Sequence, residues 1–282
     1  MRSALSWLSL TTAPIELFAS DGTSCGRASG FFYSHDCTHV YYVTNWHVLT
    51  GKDPSKPRMV GHNWKVPIEA KLRLHSKTGR DGAISLADKL ECSIAINDKT
   101  GDAPEWLEHP KHGRNADVAV LKVSKADLDT AVIYKTISEC DLSPEYRESV
   151  MDDIYVIGYP WGLDGGDGVL PLYKRGSIAS EPAIDQQGLP RFLVDCRTAT
   201  SMSGSPVVCS HSGVWMPNGQ MDDQSIIGTT KKFVGVYSGR LIERGATDGQ
   251  EPAATEIGQV WRQEVIDEIV MANQSGKALS ES

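Results

Sequence analysis

Three polar residues in widely separated parts of the chain have the types that can turn a serine hydroxyl into a nucleophile. His47 lies in Thr-Asn-Trp-His-Val, Asp117 in Asn-Ala-Asp-Val-Ala-Val-Leu, and Ser203 in Ser-Met-Ser-Gly-Ser-Pro-Val. A serine hydroxyl reacts when an imidazole takes its proton, and the imidazole needs a carboxylate that fixes its tautomer and stabilises its charge. The three residues therefore predict nucleophilic catalysis, provided that the fold brings them together.

Short strand-like segments surround these residues. The segments are rich in β-branched and aromatic residues and are separated by turn residues, a pattern typical of all-β proteins. They cover residues 28–33, 40–44, 64–68, 71–74, 118–123, 154–157, 191–194 and 233–237. His47 follows one segment closely and Asp117 immediately precedes another. We therefore expect strand ends to position both side chains.

A polar stretch over residues 126–153 separates two groups of strands, so we expect it to connect two sub-domains at 14–125 and 154–245. The last segment differs, because its apolar residues recur at intervals of three and four, which predicts an amphipathic helix over 255–272. Its apolar face consists of Ile257, Val260, Trp261, Val265, Ile266, Ile269 and Val270. This face is expected to pack on the second sub-domain.

The composition narrows the choice of partners. The chain has 282 residues, of which 40 % are hydrophobic and 23 % charged, enough to bury a core. Its net charge of -8 offers no basic surface for phosphates, which argues against nucleic acid. No apolar run reaches the roughly 18 to 20 residues of a membrane helix, so no membrane partner is expected. Two serines interrupt the apolar patch at residues 4–10, which favours an N-terminal arm over a signal peptide.

The cysteines predict the redox compartment. All six are scattered without a Cys-x-x-Cys pair, which is typical of free thiols in a reducing cytoplasm. They are Cys25, Cys37, Cys92, Cys140, Cys196 and Cys209. His35, Cys37 and His39 could share one face of a strand, but they lack a fourth metal ligand, so surface polar residues are the favoured interpretation. We expect no metal and no cofactor.

Several motifs together resemble those of the trypsin/chymotrypsin-like serine peptidases, in particular the bacterial branch that lacks the disulfides of the animal enzymes. Residues 44–47 are similar to the family's Thr-Ala-Ala-His, 117–121 to Asp-Ile-Ala-Leu-Leu, and 203–207 to Ser-Gly-Gly-Pro-Val. Two further stretches resemble the family, and the likeness extends roughly over residues 14–245. These stretches are 28–32 before the histidine, and 158–162 with 175–178 in the second half.

The resemblance implies an all-β fold of two six-stranded antiparallel β-barrels of the chymotrypsin type, followed here by the C-terminal α-helix. His47 and Asp117 would belong to the first barrel and Ser203 to the second, with a protein or peptide substrate in the cleft between them. The implied activity is that of a serine endopeptidase that forms an acyl-enzyme on Ser203. Ser201 and Ser205, the serines on either side, are interpreted as ordinary turn hydroxyls.

The resemblance also implies an oxyanion hole made by the backbone N–H groups of Ser201 and Ser203. The family usually has glycine at the first position, because that peptide adopts an unusual conformation. A serine adopts it at a cost, so we expect a hole that forms when substrate or an activating partner binds. Met202 stands where the animal enzymes have an aspartate that pairs with a new N-terminus, which excludes activation by that cleavage. The alternative is a catalytically silent fold that binds peptides.

The substrate pocket is the least defined part of the resemblance. The residue at the family's pocket base corresponds to Arg197, with Thr198 beside it, and the wall corresponds to Tyr237, Ser238, Gly239 and Arg240. An arginine facing the pocket would favour an acidic side chain through a charge-assisted pair. The favoured alternative is that Arg197 points to solvent and the pocket is small and neutral. Ser238 also lies where family members hold a serine that orients the aspartate, a role left open here.

Overall fold

Two large antiparallel β-sheets contain most of the regular secondary structure in the computed structural model. The structure describes residues 5–35, 39–54, 56–59, 65–78, 83–98, 103–124, 128, 132–140, 142–143, 145–166, 169–242 and 254–277. Two short helices, α1 Trp46–Thr50 and α2 Gln263–Ala272, accompany the sheets. No helix in the described ranges is both long and apolar enough to cross a bilayer. The all-β class with a C-terminal helix is thus confirmed.

The described residues of the first half of the chain form ten strands. They are β1 Thr12–Ala19, β2 Ser24–Tyr33, β3 Val40–Thr44, β4 Lys52–Asp53, β5 Lys56–Met59, β6 Pro67–Thr78, β7 Ala83–Ala95, β8 Trp106–Leu107, β9 Ala119–Val123 and β10 Val132–Ile133. Eight of them form one sheet in the order β10-β6-β1-β2-β3-β9-β8, with β7 also paired to β6, and β4 and β5 form a separate pair. Alternate residues such as Ile15, Phe32 and Leu72 point into one buried core.

The expected count of six strands is therefore corrected to eight for this sheet. The two additions, β8 and β10, are only two residues long. β10 can join the sheet because β6 is long. One end of β6 pairs with β1, and the other end, at His75 and Ser76, pairs with β10. The sheet consequently extends past residue 125 into the stretch predicted to be a connector.

The second half forms a closed six-stranded barrel, as expected. Its strands are β11 Asp153–Gly158, β12 Leu172–Ile178, β13 Arg191–Asp195, β14 Pro206–Trp215, β15 Ile226–Ile242 and β16 Ala254–Arg262. They close in the order β11-β12-β13-β16-β15-β14. Ile154, Phe192 and Val260 are among the side chains buried inside it.

The helix predicted over 255–272 is wrong in its first half. Ile257, Val260 and Trp261 belong to β16, which pairs with both β13 and β15 and completes the barrel. Gly258 allows this segment to lie in the barrel as a strand. A Cβ at this position would lie 2.5 Å from the Tyr237 ring, so a larger residue would prevent β16 from packing this closely against β15. The helix itself begins at Gln263.

The remaining apolar residues of the predicted face lie on α2 and join the two sheets. Val265, Ile266, Ile269 and Val270 are buried in one cluster that also contains Val118 and Val120 from the first sheet and Phe233 from the second. The helix therefore packs on both sheets rather than on the second alone. Burial of this shared apolar surface stabilises the junction at which the candidate site lies.

The described cysteines support a prediction about redox state. Cys25, Cys92, Cys140, Cys196 and Cys209 are free thiols, and Cys37 lies outside the described residues. Burial raises the pKa of Cys140 and of Cys196 to about 11, so both are protonated at neutral pH.

We expect thiol titration of the unfolded, non-reduced protein to find all six cysteines free. His47 is followed by Val48, so the disulfide that clips the histidine loop in the animal enzymes cannot form. Recovery of two or more disulfides would contradict both this prediction and the reducing compartment expected from the sequence.

Candidate active site

The histidine side chain is presented by a short helix that follows β3. The chain leaves β3 at Thr44, passes through the extended Asn45, and forms α1, which ends at Gly51 in the left-handed conformation. Trp46 and Leu49 anchor this helix in the core, and the Trp46 ring packs edge-on against Trp106. The His47 side chain, between these anchors, remains 30 % exposed.

His47 and Asp117 form a two-point contact. The Nδ1 atom of His47 lies 2.7 Å from Oδ2 of Asp117, and the backbone N–H of His47 donates to Oδ1 at 2.9 Å. Because an ionised carboxylate only accepts, the ring proton is on Nδ1, which leaves Nε2 of the neutral imidazole as a proton acceptor. Both carboxylate oxygens are therefore engaged by the histidine.

The position of Asp117 follows from its neighbours. Ala116 and Val118 are buried on either side, and the Asp117 side chain, two residues before β9, is 7 % exposed. The Asn45 side-chain amide donates to the Asp117 carbonyl at 2.7 Å, which ties the residue to the segment before α1. Asn45 was not recognised as a site residue, although it belongs to the same motif as His47.

The electrostatics of the pair favour the charged imidazole. Burial lowers the pKa of His47, but the charge and hydrogen bond of Asp117, with the charge of Asp53, outweigh burial and raise it above its usual value. A histidine with a raised pKa is a stronger base, and its cation is stabilised once it has taken a proton. Asp53, on β4, was also missed by the sequence analysis.

Ser203 lies in the loop between β13 and β14, and this loop is pressed against the first sheet. Gly204 has a φ of 84°, and a Cβ there would lie 2.2 Å from the Ser29 carbonyl oxygen and 2.3 Å from Oγ1 of Thr44. Only glycine satisfies both the left-handed backbone and this close approach. Since Thr44 is the last residue of β3, the loop brings Ser203 to the strand end that leads into His47.

The loop also contains the N–H groups of Ser201 and Ser203, which are two residues apart in the chain. Ser201 has a φ of 73°, so this serine occupies the left-handed region that we expected it to resist. Within the described residues, no protein group accepts a hydrogen bond from the N–H of Ser201 or from that of Ser203. An unformed oxyanion hole was expected because serine adopts this conformation at a cost. Ser201 already adopts it here, so that reason does not apply.

The residues assigned to the substrate pocket divide into two groups. Thr198 and Tyr237 are buried, and their hydroxyls are hydrogen-bonded to each other. Burial raises the pKa of Tyr237 to about 12, so the pair is uncharged at neutral pH. Arg197, in contrast, is exposed, so the structure does not bring its charge to a buried pocket base.

The other wall residues lie on β15 and are half-buried. They are Ser238, Gly239 and Arg240. The pairing of β15 with β16 slips between Tyr237 and Gly239, which leaves Ser238 as the extra residue of a bulge. Among the described residues its hydroxyl makes no hydrogen bond to Asp117, whose two carboxylate oxygens are taken by His47. Ser238 therefore does not hold the aspartate here.

Metal ligation finds no support in the described parts of the chain, where no group of three His, Cys, Asp or Glu side chains could hold an ion. The weak candidate formed by His35, Cys37 and His39 includes Cys37, which lies outside those parts.

The chain belongs to the trypsin-like peptidase family, because the sequence model of the trypsin-like peptidase domain matches residues 28–215. His47, Asp117 and Ser203 all lie within the matched region. The resemblance found in the motifs is thus confirmed at the level of the family. No curated protein matches the sequence significantly.

Solved structures with a similar fold include the Rv3671c protease from M. tuberculosis. Its active form has 16 % sequence identity and a TM-score of 0.45, over 96 % of this chain and 83 % of the other. An inactive form of the same protease has 14 % identity and a TM-score of 0.41, over 94 % of this chain and 89 % of the other.

Proposed function

We propose that the protein is a serine endopeptidase in which Ser203 is the nucleophile, His47 the general base and Asp117 the group that orients the base. The observation that carries this proposal is the contact in which Asp117 accepts from both the backbone N–H and the ring of His47. It fixes the tautomer that leaves Nε2 free to take a proton. Family membership supports peptide bonds as the substrate class.

The first half of the reaction forms the acyl-enzyme. The Oγ of Ser203 attacks the scissile carbonyl carbon while its proton moves to Nε2 of His47, and the carbonyl oxygen becomes an oxyanion. The C–N bond then breaks, His47 gives its proton to the departing amine, and the acyl group remains on Ser203. The imidazolium present between these steps is stabilised by the adjacent carboxylate of Asp117.

Water completes the cycle by the same route. His47 takes a proton from a water molecule as the oxygen of that water attacks the ester carbon. The bond to Oγ of Ser203 then breaks, the proton returns to Ser203, and the carboxylic acid product leaves. His47 passes on the proton that it takes in each half-reaction, first to the departing amine and then to Ser203, so the neutral base is regenerated.

The backbone N–H groups of Ser201 and Ser203 are proposed to bind the oxyanion. Both lack a protein acceptor within the described chain, and φ of Ser201 is already 73°. Preorganised donors of this kind stabilise the transition state strongly, and the loss of one costs about 100- to 1000-fold in rate. This arrangement supports a site that reacts without an activating partner.

The exposed side of β15 is proposed to pair with an extended substrate. The pairing of β15 with β14 ends at Val236 opposite Pro206, whereas β15 itself continues to Ile242. The stretch over Ser238 and Gly239 thus has β16 on one side and no described strand on the other. Backbone pairing with an added strand is a common way for proteins to bind peptides.

The pocket is proposed to accept an uncharged side chain. Its buried groups are the hydroxyls of Thr198 and Tyr237, whereas Arg197 is exposed and Arg240 half-buried. We expect a peptide library to show no enrichment of Glu or Asp before the cleaved bond, and Arg197→Ala to leave the profile unchanged. Thr198→Val, which removes one hydroxyl at constant shape, should alter the profile. Enriched cleavage after acidic residues that Arg197→Ala abolishes would contradict this assignment.

A fluorophosphonate label tests the proposed function. The label reacts only with an activated serine, so intact mass and peptide mapping should find one adduct, on Ser203, without any added partner. An adduct that forms only with a cell extract would support latency. A folded protein that never reacts would favour the alternative of a silent, peptide-binding fold.

A further inference from the structure

Ser29, on β2, links the loop that carries Ser203 to both sheets. This loop, residues 196–205 between β13 and β14, is called the nucleophile loop below. It is fully buried, and its hydroxyl donates to the Ser201 carbonyl at 2.8 Å and accepts from the Tyr159 N–H at 3.0 Å. The Ser29 N–H donates to the Ser203 carbonyl at 3.0 Å, and the Ser29 carbonyl accepts from the Thr44 hydroxyl at 2.9 Å. Every polar atom of this residue is thus used, and two of its partners lie in the nucleophile loop.

A second contact holds the preceding peptide group. The Trp161 N–H donates to the Thr200 carbonyl at 2.8 Å. In a trans peptide the carbonyl and the following N–H point in opposite directions, so fixing the Thr200 carbonyl also fixes the direction of the Ser201 N–H. The two peptide groups that flank the Ser201 Cα are therefore both held, the first by Trp161, and the second by Ser29 together with the Ala199 carbonyl, which accepts from the Met202 N–H at 3.3 Å.

These contacts explain how a serine keeps a conformation that usually requires glycine. A left-handed backbone is disfavoured for residues with a Cβ and persists when the surroundings impose it. Rotation of either flanking peptide would relax Ser201, but it would break a hydrogen bond to Trp161 or to Ser29. Since Ser29 is fully buried, breaking this bond would leave its hydroxyl donor without a partner, which is costly.

We propose that Ser29 is a positioning residue, whose hydroxyl holds the Ser201 carbonyl and thereby the left-handed conformation in which the Ser201 N–H is available to the oxyanion before substrate arrives. The inference rests on the proposed function. It gives Ser29, a residue of the first sheet, a role in binding the transition state at a loop of the second sheet. Ser29 acts through Ser201 and does not itself touch the substrate.

Ser205 provides a matched control. It is also a fully buried serine, and its Oγ and that of Ser29 flank Gly158, lying 2.0 Å and 2.7 Å from the position of an added Cβ. The Ser205 hydroxyl, however, has no hydrogen-bond partner among the described residues. Ser29→Ala and Ser205→Ala therefore remove the same atom from the same pocket, and only the first removes the contact to Ser201.

The experiment measures the rate of fluorophosphonate labelling, because the phosphoryl oxygen of the adduct occupies the place of the oxyanion. Ser29→Ala is expected to slow labelling by about tenfold or more, within the 100- to 1000-fold limit of losing one oxyanion donor. Ser205→Ala should stay within about twofold of the wild type. The pH midpoint of labelling should be the same in all three proteins, because the His47–Asp117 pair is untouched. Thermal unfolding verifies that each variant is folded at the assay temperature.

A rescue variant separates positioning from general damage. Glycine populates the left-handed region freely, so Ser201→Gly in the Ser29→Ala background should restore labelling by about fivefold or more. If Ser29→Ala does not fold, Ser29→Cys keeps a weaker donor in the same place and should label more slowly than the wild type.

Three results would overturn the inference alone, given normal labelling of wild-type Ser203. They are labelling of Ser29→Ala, or of Ser29→Cys, at the wild-type rate; an equal loss in Ser205→Ala; and no rescue by Ser201→Gly. A wild-type protein that does not label at Ser203 would instead overturn the proposed function and this inference with it.

Discussion

Ser203→Ala is expected to abolish both peptide cleavage and fluorophosphonate labelling, with a loss in kcat on the order of a million-fold. The alanine lacks the atom that is proposed to attack the carbonyl. The fold should be unaffected, because the Ser203 side chain makes no hydrogen bond within the described structure, and its carbonyl still accepts from the Ser29 N–H. The measurements are steady-state cleavage of a peptide found by library profiling, and the melting temperature.

Ser205→Ala is the control for this variant as well. It removes a hydroxyl from the same Ser-Gly-Ser motif and should retain activity within about twofold. His47→Ala should be as severe as Ser203→Ala, since the members of a catalytic triad act as a unit. Cleavage by Ser203→Ala above about one per cent of the wild-type rate would exclude Ser203 as the nucleophile.

The residues of the candidate triad were predictable because each is marked by its own neighbours. Asp117 precedes an apolar run that becomes the buried strand β9, and His47 follows the apolar β3. Gly204 is next to Ser203 in sequence, and the structure shows why only glycine fits there. Local sequence therefore indicated the candidate residues, although it did not contain the His47–Asp117 contact or the close approach of Gly204 to Thr44.

The elements that were wrong depend on contacts distant in sequence. Val260 and Trp261 fit a helical spacing in the sequence. They form part of β16 instead, because this segment pairs with both β13 and β15 and closes the barrel. For Arg197 the sequence left two directions open and favoured solvent, because the exposure of this residue depends on the direction of a loop. Ser29 lies 172 residues from its partner Ser201, and nothing in Ala-Ser-Gly-Phe distinguishes a hydroxyl with a distant acceptor from one without.

Asp117→Asn is expected to reduce kcat/KM by about ten-thousand-fold. An ionised carboxylate accepts at both oxygens, and His47 uses both, one for its backbone N–H and one for Nδ1. An amide has one oxygen and a donor group in place of the other. If the amide oxygen keeps the backbone N–H, its NH₂ group faces Nδ1, and the ring must carry its proton on Nε2 instead. The imidazole is then well placed but cannot accept the proton of Ser203.

The pH dependence of the remaining activity gives a second readout of the same contact. Burial lowers the pKa of His47, and the Asp117 charge and hydrogen bond more than compensate. The base acts in its neutral form, so wild-type activity should fall as the pH drops through this raised pKa. With the carboxylate removed, burial dominates, the pKa falls, and the acid limb of the variant should move to lower pH.

Asp53→Asn is the matched control, because its charge also raises the pKa of His47. The same chemical change at Asp53 should move the acid limb in the same direction but leave the tautomer intact, with a loss of less than about tenfold. A ten-thousand-fold loss in Asp117→Asn alone would separate the tautomer effect from the charge effect. Losses below about tenfold in both variants would contradict the assignment of Asp117 and require another acid to orient the base.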